Sequence, residues 1–499
     1  MIYTVTSTLP PVHGGRTKAL LSRIKLMDTE LGITNKIFTT NYNANYPSVY
    51  EKFINEGKVT KNTEFENLYD WLSGFKLLET PKKKFKNQPK YQTTNRKIKG
   101  LTDKPSKNGS VIRYFNENQF VLYRKYYQSS DVLQFEDFMS PISEKRLERW
   151  EYNMFGQLHR KIYYIHNPFA KSYEVYFDTQ ENVYCKKFFK NDKDNTLDYI
   201  QIYNNSRPYL AFSNERDLFK YYFGQRFNDN DIVFNDARLL DKPLLTQSNA
   251  TKNILVFHSS HLNGEKIKGS YRFALEHSDK VEKYIILTHK QTYDIQKETA
   301  IDQHRFAIIP HSMEPYPRDN DIEQLNRFIY LGRLGKAKQI DHLIKAYKQF
   351  LDNGYDMKLA IFGKDEDGQK EALLDLIEQF GIQDKVEINE YTNTPLKEFQ
   401  KSKAALLTSK FEGFGLTVME SIEVGCPVIS YDVRYGPSEI IKHGENGYLV
   451  EPDDITAFTE YMVKTVEEPF DHVETRSELS HKKAVENYNK LFQDIGYTK

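Results

Sequence analysis

Two series of short apolar runs, each followed by a helical or polar stretch, constrain the fold of this chain most strongly. The first series comprises residues 2–5, 37–39, 232–234, 254–257, 284–287 and 306–309. The second comprises residues 328–331, 359–362, 386–388, 404–407 and 427–430. Short apolar runs that alternate with helices are typical of buried parallel strands. The pattern therefore predicts an α/β chain with two doubly wound, Rossmann-like lobes, a linker at residues 313–326, and a ligand cleft at the carboxyl ends of the strands.

A β-rich insertion interrupts the first series. Apolar and aromatic runs at residues 111–115, 120–126, 149–152, 158–165, 173–177, 183–189 and 199–203 are separated by turn-forming residues, which predicts an antiparallel meander. The α/β pattern resumes at a helix for which Ser213 is the predicted N-cap. The expected domains are residues 1–72 and 212–318 for the first lobe, 73–211 for the insertion, 319–480 for the second lobe and 481–499 for a C-terminal helix.

The overall charge does not indicate a class of partner, because 70 lysines and arginines nearly balance 69 aspartates and glutamates. A local exception is a basic tract between residues 82 and 107, which we interpret as an exposed loop able to attract a polyanionic acceptor. Tyrosine (35) and phenylalanine (32) far outnumber tryptophan (2), so rings are expected to fill part of the core. Two distant cysteines give no disulfide framework, and no apolar run is long enough to span a membrane, which favours a cytoplasmic protein.

The stretch from Lys410 to Ser421, K-F-E-G-F-G-L-T-V-M-E-S, carries the clearest functional signal. Its glycines are predicted to form a turn between a strand and a helix, where backbone N–H groups can meet an anion. The carboxylates Glu412 and Glu420 bracket that turn. Arg333 and Lys338 follow another strand of the same predicted sheet, so two cations and a helix N-terminus are expected to face one diphosphate. Gly14-Gly15 precedes a further predicted helix and is a second, weaker candidate.

These residues resemble the donor site of retaining nucleotide-sugar glycosyltransferases of family 4, which have the two-lobed GT-B fold. The resemblance extends to the Gly14-Gly15 loop and to four further motifs, H-S-S-H at 258–261, I-P-H-S at 309–312, G-P-S-E at 436–439 and N-G-Y-L-V-E-P at 446–452. The insertion resembles that of staphylococcal serine-aspartate-repeat protein glycosyltransferases and of the related Gram-positive teichoic acid glycosyltransferases. In such relatives this insertion binds acceptor or mediates oligomerisation, which implies a homo-oligomer.

The resemblance implies a role for each residue of the motif. Arg333 and Lys338 would neutralise the leaving diphosphate, with backbone N–H groups near Gly413, Phe414, Gly415 and Leu416. Glu420 would accept hydrogen bonds from the ribose, and Glu412 would orient the donor sugar. His258 or His261 would lie near the sugar, with His261 favoured, and the loop of Tyr391, Thr392 and Asn393 would hold the uracil. No metal and no cofactor beyond the UDP-sugar is implied.

The predicted activity is transfer of N-acetylglucosamine from UDP-N-acetylglucosamine to serine hydroxyls of an acidic Ser-Asp-repeat protein, with retention. A teichoic acid chain is the alternative acceptor, since its phosphates also suit the basic tract. A third possibility is a catalytically silent partner that binds acceptor, although such partners lack the donor-site charges that this chain has. No nucleic acid is expected as a partner, and peripheral association with the inner membrane face stays open.

Overall fold

The computed structural model describes residues 1–12, 14–77, 92–318 and 321–497. The first half of the basic tract, which includes Lys82 and Lys90, lies outside the described residues. The described residues divide into two units, one from residues 1–13 and 34–252 and the other from residues 14–33 and 253–499. Elements are numbered below in chain order. No helix in the described part of the chain is long and apolar enough to cross a bilayer.

The first unit contains four parallel strands with an aromatic core. They lie in the order β3 (Glu64–Asn67), β2 (Asn35–Thr39), β1 (Ile2–Thr6) and β14 (Ile232–Asn235). The helices of this unit are α2 (Tyr46–Asn55), α3 (Leu68–Leu72), α4 (Glu215–Arg226) and α5 (Asp241–Leu245). Phe38, Tyr69 and Tyr222 are buried in the core, which confirms the predicted use of rings. The N-cap of α4 is Asn214, which accepts the Asp217 N–H, so the predicted helix start near Ser213 is confirmed to within one residue.

The antiparallel meander is also confirmed, as a sheet of ten consecutive strands in the first unit. The strands are β4 (Thr102–Pro105), β5 (Val111–Asn116), β6 (Gln119–Tyr126), β7 (Leu133–Met139), β8 (Arg146–Tyr152), β9 (Leu158–His166), β10 (Phe169–Phe177), β11 (Val183–Phe189), β12 (Leu197–Asn204) and β13 (Arg207–Phe212). The sequence prediction omitted β4, β7 and β13. The second half of the basic tract is not simply an exposed loop, because β4 forms there and Arg96 binds Asp131.

The second unit contains two parallel sheets. Strands β15 (Lys252–Val256), β18 (Lys283–Ile286) and β19 (Phe306–Ile308) pair in that order. Around them lie α1 (Gly15–Thr29), the hairpin β16 (Leu262–Asn263) and β17 (Lys266–Ile267), α6 (Gly269–Glu276) and α7 (His289–Glu298). The three strands correspond to the last three apolar runs of the first series.

The other parallel sheet of this unit has six strands. Their order is β22 (Val386–Asn389), β21 (Lys358–Phe362), β20 (Arg327–Leu331), β23 (Ala404–Leu407), β24 (Val428–Tyr431) and β25 (Gly447–Val450). Its helices are α8 (Ile340–Asp352), α9 (Gln369–Gln379), α10 (Pro395–Gln400), α11 (Leu416–Glu423), α12 (Pro437–Ile440), α13 (Ile455–Glu467) and α14 (His481–Asp494). The α/β prediction is thus confirmed, and β20 and β23 lie side by side at the centre of the sheet.

Candidate functional site

The loops that follow β20 and β23 lie next to each other, because these two strands are parallel neighbours. The loop after β20 carries Arg333 and Lys338, and the loop after β23 carries Glu412 and the glycine turn. The Lys410 N–H donates to the Ala337 carbonyl at 2.9 Å, which ties the two loops together. The sheet therefore brings together the charged residues that the sequence placed in one site.

Lys338 and Glu412 form an ion pair in this site, with 2.6 Å between Nζ and Oε1. Both side chains are mostly enclosed, with 20% and 13% of their surface exposed. Arg333 pairs with Glu366 at 2.6 Å, but 68% of the Arg333 side chain is exposed. An exposed pair contributes at most about 1 kcal/mol, so Arg333 can leave Glu366 for a ligand at little cost.

The glycine turn lies so close to neighbouring backbone that a side chain at Gly413 would clash with it. A Cβ added at Gly413 would lie 2.2 Å from the His258 carbonyl oxygen. Gly415 has a φ of 93° and is the N-cap residue of α11, so the first N–H groups of α11 begin directly at the turn. Phe414 and Leu416 flank Gly415, and the Phe414 ring contacts His311 edge-on at 5.2 Å. The turn is thus held against the loop that carries the H-S-S-H motif.

Glu420 on α11 is buried and contacts the ammonium group of Lys18 on α1. A Cβ added at Gly15 would lie 2.7 Å from Leu416 Cδ1, so the start of α1 packs against the start of α11. Gly14, the N-cap residue of α1, has open space where a side chain would be. Two helix N-termini therefore approach one another beside Glu420, which is an arrangement suited to an anionic ligand.

His261 is fully buried, and its ring lies parallel to the Tyr435 ring at 6.0 Å. Burial, with a smaller effect of Lys268 and Arg434, lowers its pKa to about 4, so the imidazole is neutral at pH 7. Within the described residues neither ring nitrogen has a hydrogen-bond partner. His258 lies 5.6 Å from His311, ring centre to ring centre.

Tyr391, Thr392 and Asn393 form the loop after β22, at the same edge of the six-stranded sheet. Tyr391 is 55% exposed, and the Thr392 hydroxyl accepts the Thr394 N–H at 3.1 Å. Two strands, β21 and β20, separate this loop from the glycine turn on β23 in the order of the sheet. It is therefore placed at the edge of the site rather than at its charged centre.

Four neighbours of the predicted residues were not found from the sequence: Lys18, Asp294, Arg434 and Tyr435. Lys18 pairs with Glu420, the Tyr435 hydroxyl donates to Asp294 at 2.7 Å, and Arg434 lies 3.4 Å from the same carboxylate. The G-P-S-E motif placed Glu439 but not its partners, which are the backbone N–H groups of His289 and Lys290 at the start of α7. These partners are distant in sequence from the residues that they contact. The position of Lys18, just after Gly14-Gly15, is the one local signal that could have identified a partner.

Comparison with known proteins shows a matching domain and relatives to which the chain is similar. Residues 312–485 match the model for glycosyl transferases group 1. The chain is 27% identical to the poly(glycerol-phosphate) alpha-glucosyltransferase of Bacillus subtilis (strain 168), over 94% of this chain and 70% of that one. It is 26% identical to the UDP-N-acetylglucosamine–peptide N-acetylglucosaminyltransferase GtfA subunit of Streptococcus gordonii, over 73% and 74% of the chains.

A solved structure matches almost the whole chain. The structure of an S. aureus TarM mutant in complex with Fondaparinux, alpha-GlcNAc-glycerol and UDP covers 99% of this chain, with a TM-score of 0.78, 21% identity and 96% of its own chain matched. The predicted resemblance is confirmed for this domain, and the predicted fold is confirmed for the chain. Residues 312–485 therefore form a group 1 glycosyltransferase domain, and the chain as a whole has the two-lobed GT-B fold.

Proposed function

We propose that this chain is a retaining hexosyltransferase that moves N-acetylglucosamine from UDP-N-acetylglucosamine to hydroxyl groups of a repeating, anionic acceptor. The observation that carries this proposal is the enclosed Lys338–Glu412 pair beside the N-terminus of α11. The cation can neutralise the diphosphate, the carboxylate can orient the sugar, and the helix N-terminus can bind phosphate oxygens.

Negative charge grows on the diphosphate as the bond to the anomeric carbon breaks. Lys338 and Arg333 stabilise that charge, and the N–H groups at Phe414–Leu416 add to the effect. Lys338 donates a hydrogen bond to Glu412 in this structure. When the diphosphate binds, the ammonium group of Lys338 pairs with it instead, and Glu412 then accepts hydrogen bonds from the sugar hydroxyls. Glu420 binds the ribose, and the backbone of residues 391–393 binds the uracil.

In the proposed mechanism the acceptor oxygen attacks the anomeric carbon on the same face of the sugar from which the diphosphate leaves. The carbon–oxygen bond to the diphosphate breaks, the bond to the acceptor oxygen forms, and the acceptor proton passes to the departing phosphate oxygen. The neutral, buried His261 offers two ring nitrogens that have no partner in the described part of the chain, which suits contact with a sugar hydroxyl. Since Arg333 and Lys338 carry the opposing charge, this route needs no metal ion.

A polyol-phosphate chain is the acceptor that the comparisons favour, because the match to the glycerol-phosphate enzyme spans 94% of this chain. A Ser-Asp-repeat protein is the second candidate, supported by the peptide-modifying relative that spans 73%. Both acceptors present hydroxyl groups at regular intervals along a chain of negative charge. Among the described residues β4 and β13 are the edge strands of the antiparallel sheet, which supports the further proposal that this sheet mediates homo-oligomerisation.

Transfer assays test the donor and the acceptor together. The purified protein is incubated with UDP-N-acetylglucosamine or UDP-glucose, and separately with polyglycerol phosphate, polyribitol phosphate and a Ser-Asp peptide. We expect transfer from UDP-N-acetylglucosamine to a polyol phosphate. Transfer to the peptide alone would select the second candidate. Acceptor binding without turnover of either UDP-sugar would identify a silent partner and overturn the proposal.

Lys338→Ala tests the role of the ammonium group. We expect kcat to fall by about 10²- to 10³-fold, since one donor removed from a preorganised anionic site costs roughly 3 kcal/mol in the transition state. Lys345→Ala is the matched control, because Lys345 lies on α8 and pairs with the exposed Asp341. Equal turnover by the two variants would rule out contact between Lys338 and the diphosphate.

A further inference from the structure

An open groove of about 660 Å³ lies in the first unit, and none of its lining residues belongs to the donor site. It is formed by α3 and the residues after it, by the turn between β10 and β11, by the turn between β12 and β13, and by α4. The β12–β13 turn has two central residues, Asn205 and Ser206, with φ values of 49° and 62°. Two-residue turns of this kind fix the hairpin tightly, so one wall of the groove is preorganised.

Aromatic rings and side-chain amides make up half of the residues that line the groove. The rings are those of Trp71, Tyr184, Tyr203, Tyr209 and Tyr221. The amides are those of Gln180, Asn182, Asn204 and Asn205. Ring faces cover the C–H surface of a sugar ring, and an amide both donates to and accepts from sugar hydroxyls. The volume lies within the range of small-molecule sites, which is roughly 300–1,000 Å³.

The described lining of the groove carries one positive and one negative side chain, so it has no excess of positive charge. Lys76 and Asp178 are its charged lining residues among those described, and their side chains lie 3.8 Å apart. Asp178 also accepts the backbone N–H groups of Gln180 and Asn182, which holds the β10–β11 turn in place. A phosphate or carboxylate would need an excess of cations, as sites for such groups usually have. The lining therefore matches a neutral polar ligand.

Tyr184 adds an independent observation. It lines the groove and is 96% buried, since only 4% of its surface is exposed. Its hydroxyl has no hydrogen-bond partner among the described residues. A buried hydroxyl without a partner costs about 1–3 kcal/mol, and Tyr184 is the lining residue that carries such a group.

We propose that this groove is a second carbohydrate site, which binds a neutral saccharide independently of the donor site. Tyr209, 62% exposed, supplies a ring face at its rim, and Asn205 supplies hydrogen bonds from the rigid turn. The saccharide is a sugar already attached to the acceptor, so that a modified segment is held while the next hydroxyl reacts. Only this last statement, the source of the sugar, rests on the proposed function.

Saturation-transfer NMR measures the binding directly. Maltose and N,N′-diacetylchitobiose are added to the full chain in the presence of excess UDP, and glycerol 3-phosphate serves as the anionic probe. We expect signals from at least one saccharide and none from glycerol 3-phosphate. Tyr209→Ala is expected to weaken saccharide binding at least tenfold, whereas Tyr293→Ala, which removes a ring 67% exposed on α7, is expected to leave it unchanged.

Three outcomes would overturn the proposal: no saccharide signal with the unaltered chain, a stronger signal from glycerol 3-phosphate, or binding that both Tyr209→Ala and Asn205→Gly leave intact. Both substituted residues are exposed, and glycine tolerates the φ of 49° at position 205, so loss of fold does not explain a loss of binding, and circular dichroism checks this. The measurement contains no transfer step. A chain without transferase activity would contradict the proposed function and leave this result standing.

Discussion

His261 is a neutral histidine enclosed by charged neighbours. Its ring is fully buried against Tyr435, and Asp294, Lys268 and Arg434 all act on it electrostatically. Burial disfavours the imidazolium ion, the two cations add to that effect, and the carboxylate only partly opposes it. The pKa therefore falls from 6.5 to about 4, and folding prefers the neutral ring.

This shift predicts how stability depends on pH. The folded pKa lies below the unfolded one, so the unfolded chain takes up a proton near pH 6.5 and the folded chain does so only near pH 4. The free energy of unfolding should fall as pH drops from 6.5 to 4, by roughly 3 kcal/mol from this group at about 1.4 kcal/mol per pKa unit. Denaturant unfolding of the wild type and of His261→Asn at several pH values measures the difference.

The control is His304→Asn, since the side chain of His304 is 69% exposed. That variant should follow the wild-type pH dependence, while His261→Asn should show a shallower loss of stability below pH 6.5. Parallel curves for the wild type and His261→Asn would mean that His261 titrates normally.

Single residues of the site could be predicted where chemistry and local spacing coincide. Glu412 and Glu420 flank a glycine turn between a strand and a helix, and Lys338 follows another strand, so the sequence alone places all three near one edge of the sheet. The partners could not be predicted in this way. The contact of Lys18 with Glu420 spans 402 positions, and the hydrogen bond of Tyr435 to Asp294 spans 141. Such pairs depend on how helices pack, which local patterns do not encode.

At the scale of elements, the start of α7 is an example of capping by a distant residue. The Glu439 carboxylate accepts the His289 and Lys290 N–H groups at 2.9 Å each, and Thr288 accepts the Gln291 N–H at 3.2 Å. These three bonds satisfy N–H groups that a helix leaves without partners, and the negative charge also suits the helix dipole. Residues near Arg434 and Tyr435 are thereby linked to a helix that is more than 130 positions away.

Glu439→Gln should loosen this end of α7. It keeps one oxygen acceptor but removes the charge, so we expect a loss of about 1 kcal/mol, the usual value of a helix cap. Hydrogen exchange at the His289 and Lys290 amides should accelerate, while exchange in the later turns of α7 stays the same. Glu460→Gln, at an exposed position of α13, is the control. Unchanged exchange at both amides in Glu439→Gln would show that the carboxylate does not cap the helix in solution.

Two strands that were not predicted from the sequence, β4 and β7, show why an apolar pattern does not identify every strand. β7 contains a buried charged residue, Asp137, which forms ion pairs with Arg146 and Arg149. β4 is wholly exposed and contains Pro105, which an edge strand tolerates because its outer N–H side needs no partner. In both strands the period-two alternation of apolar residues is lost. The strands between them, β5 and β6, are rich in apolar and aromatic residues and were predicted correctly.

At the scale of the whole molecule, α1 belongs to the second unit although it lies near the start of the chain. Lys18 and Lys25 of α1 form ion pairs with Glu420 and Glu314, and Gly15 packs against Leu416. The unit that contains the group 1 domain therefore also holds the Gly14-Gly15 loop. A nucleotide bound there would contact segments far apart in sequence.

UDP should thus protect three separated segments of the second unit from hydrogen exchange. A ligand that binds only the folded state stabilises it by about 2.7 kcal/mol at 100 times its Kd, and the gain is largest where the ligand orders the backbone. We expect slower exchange in residues 14–18, 332–339 and 412–418, and unchanged exchange in the strands β4–β13. Exchange measured with and without UDP by mass spectrometry provides the test, and UDP with Lys338→Ala should protect these segments less. Protection of the antiparallel sheet instead, with none in these three segments, would place the nucleotide outside the site formed by α1, β20 and β23.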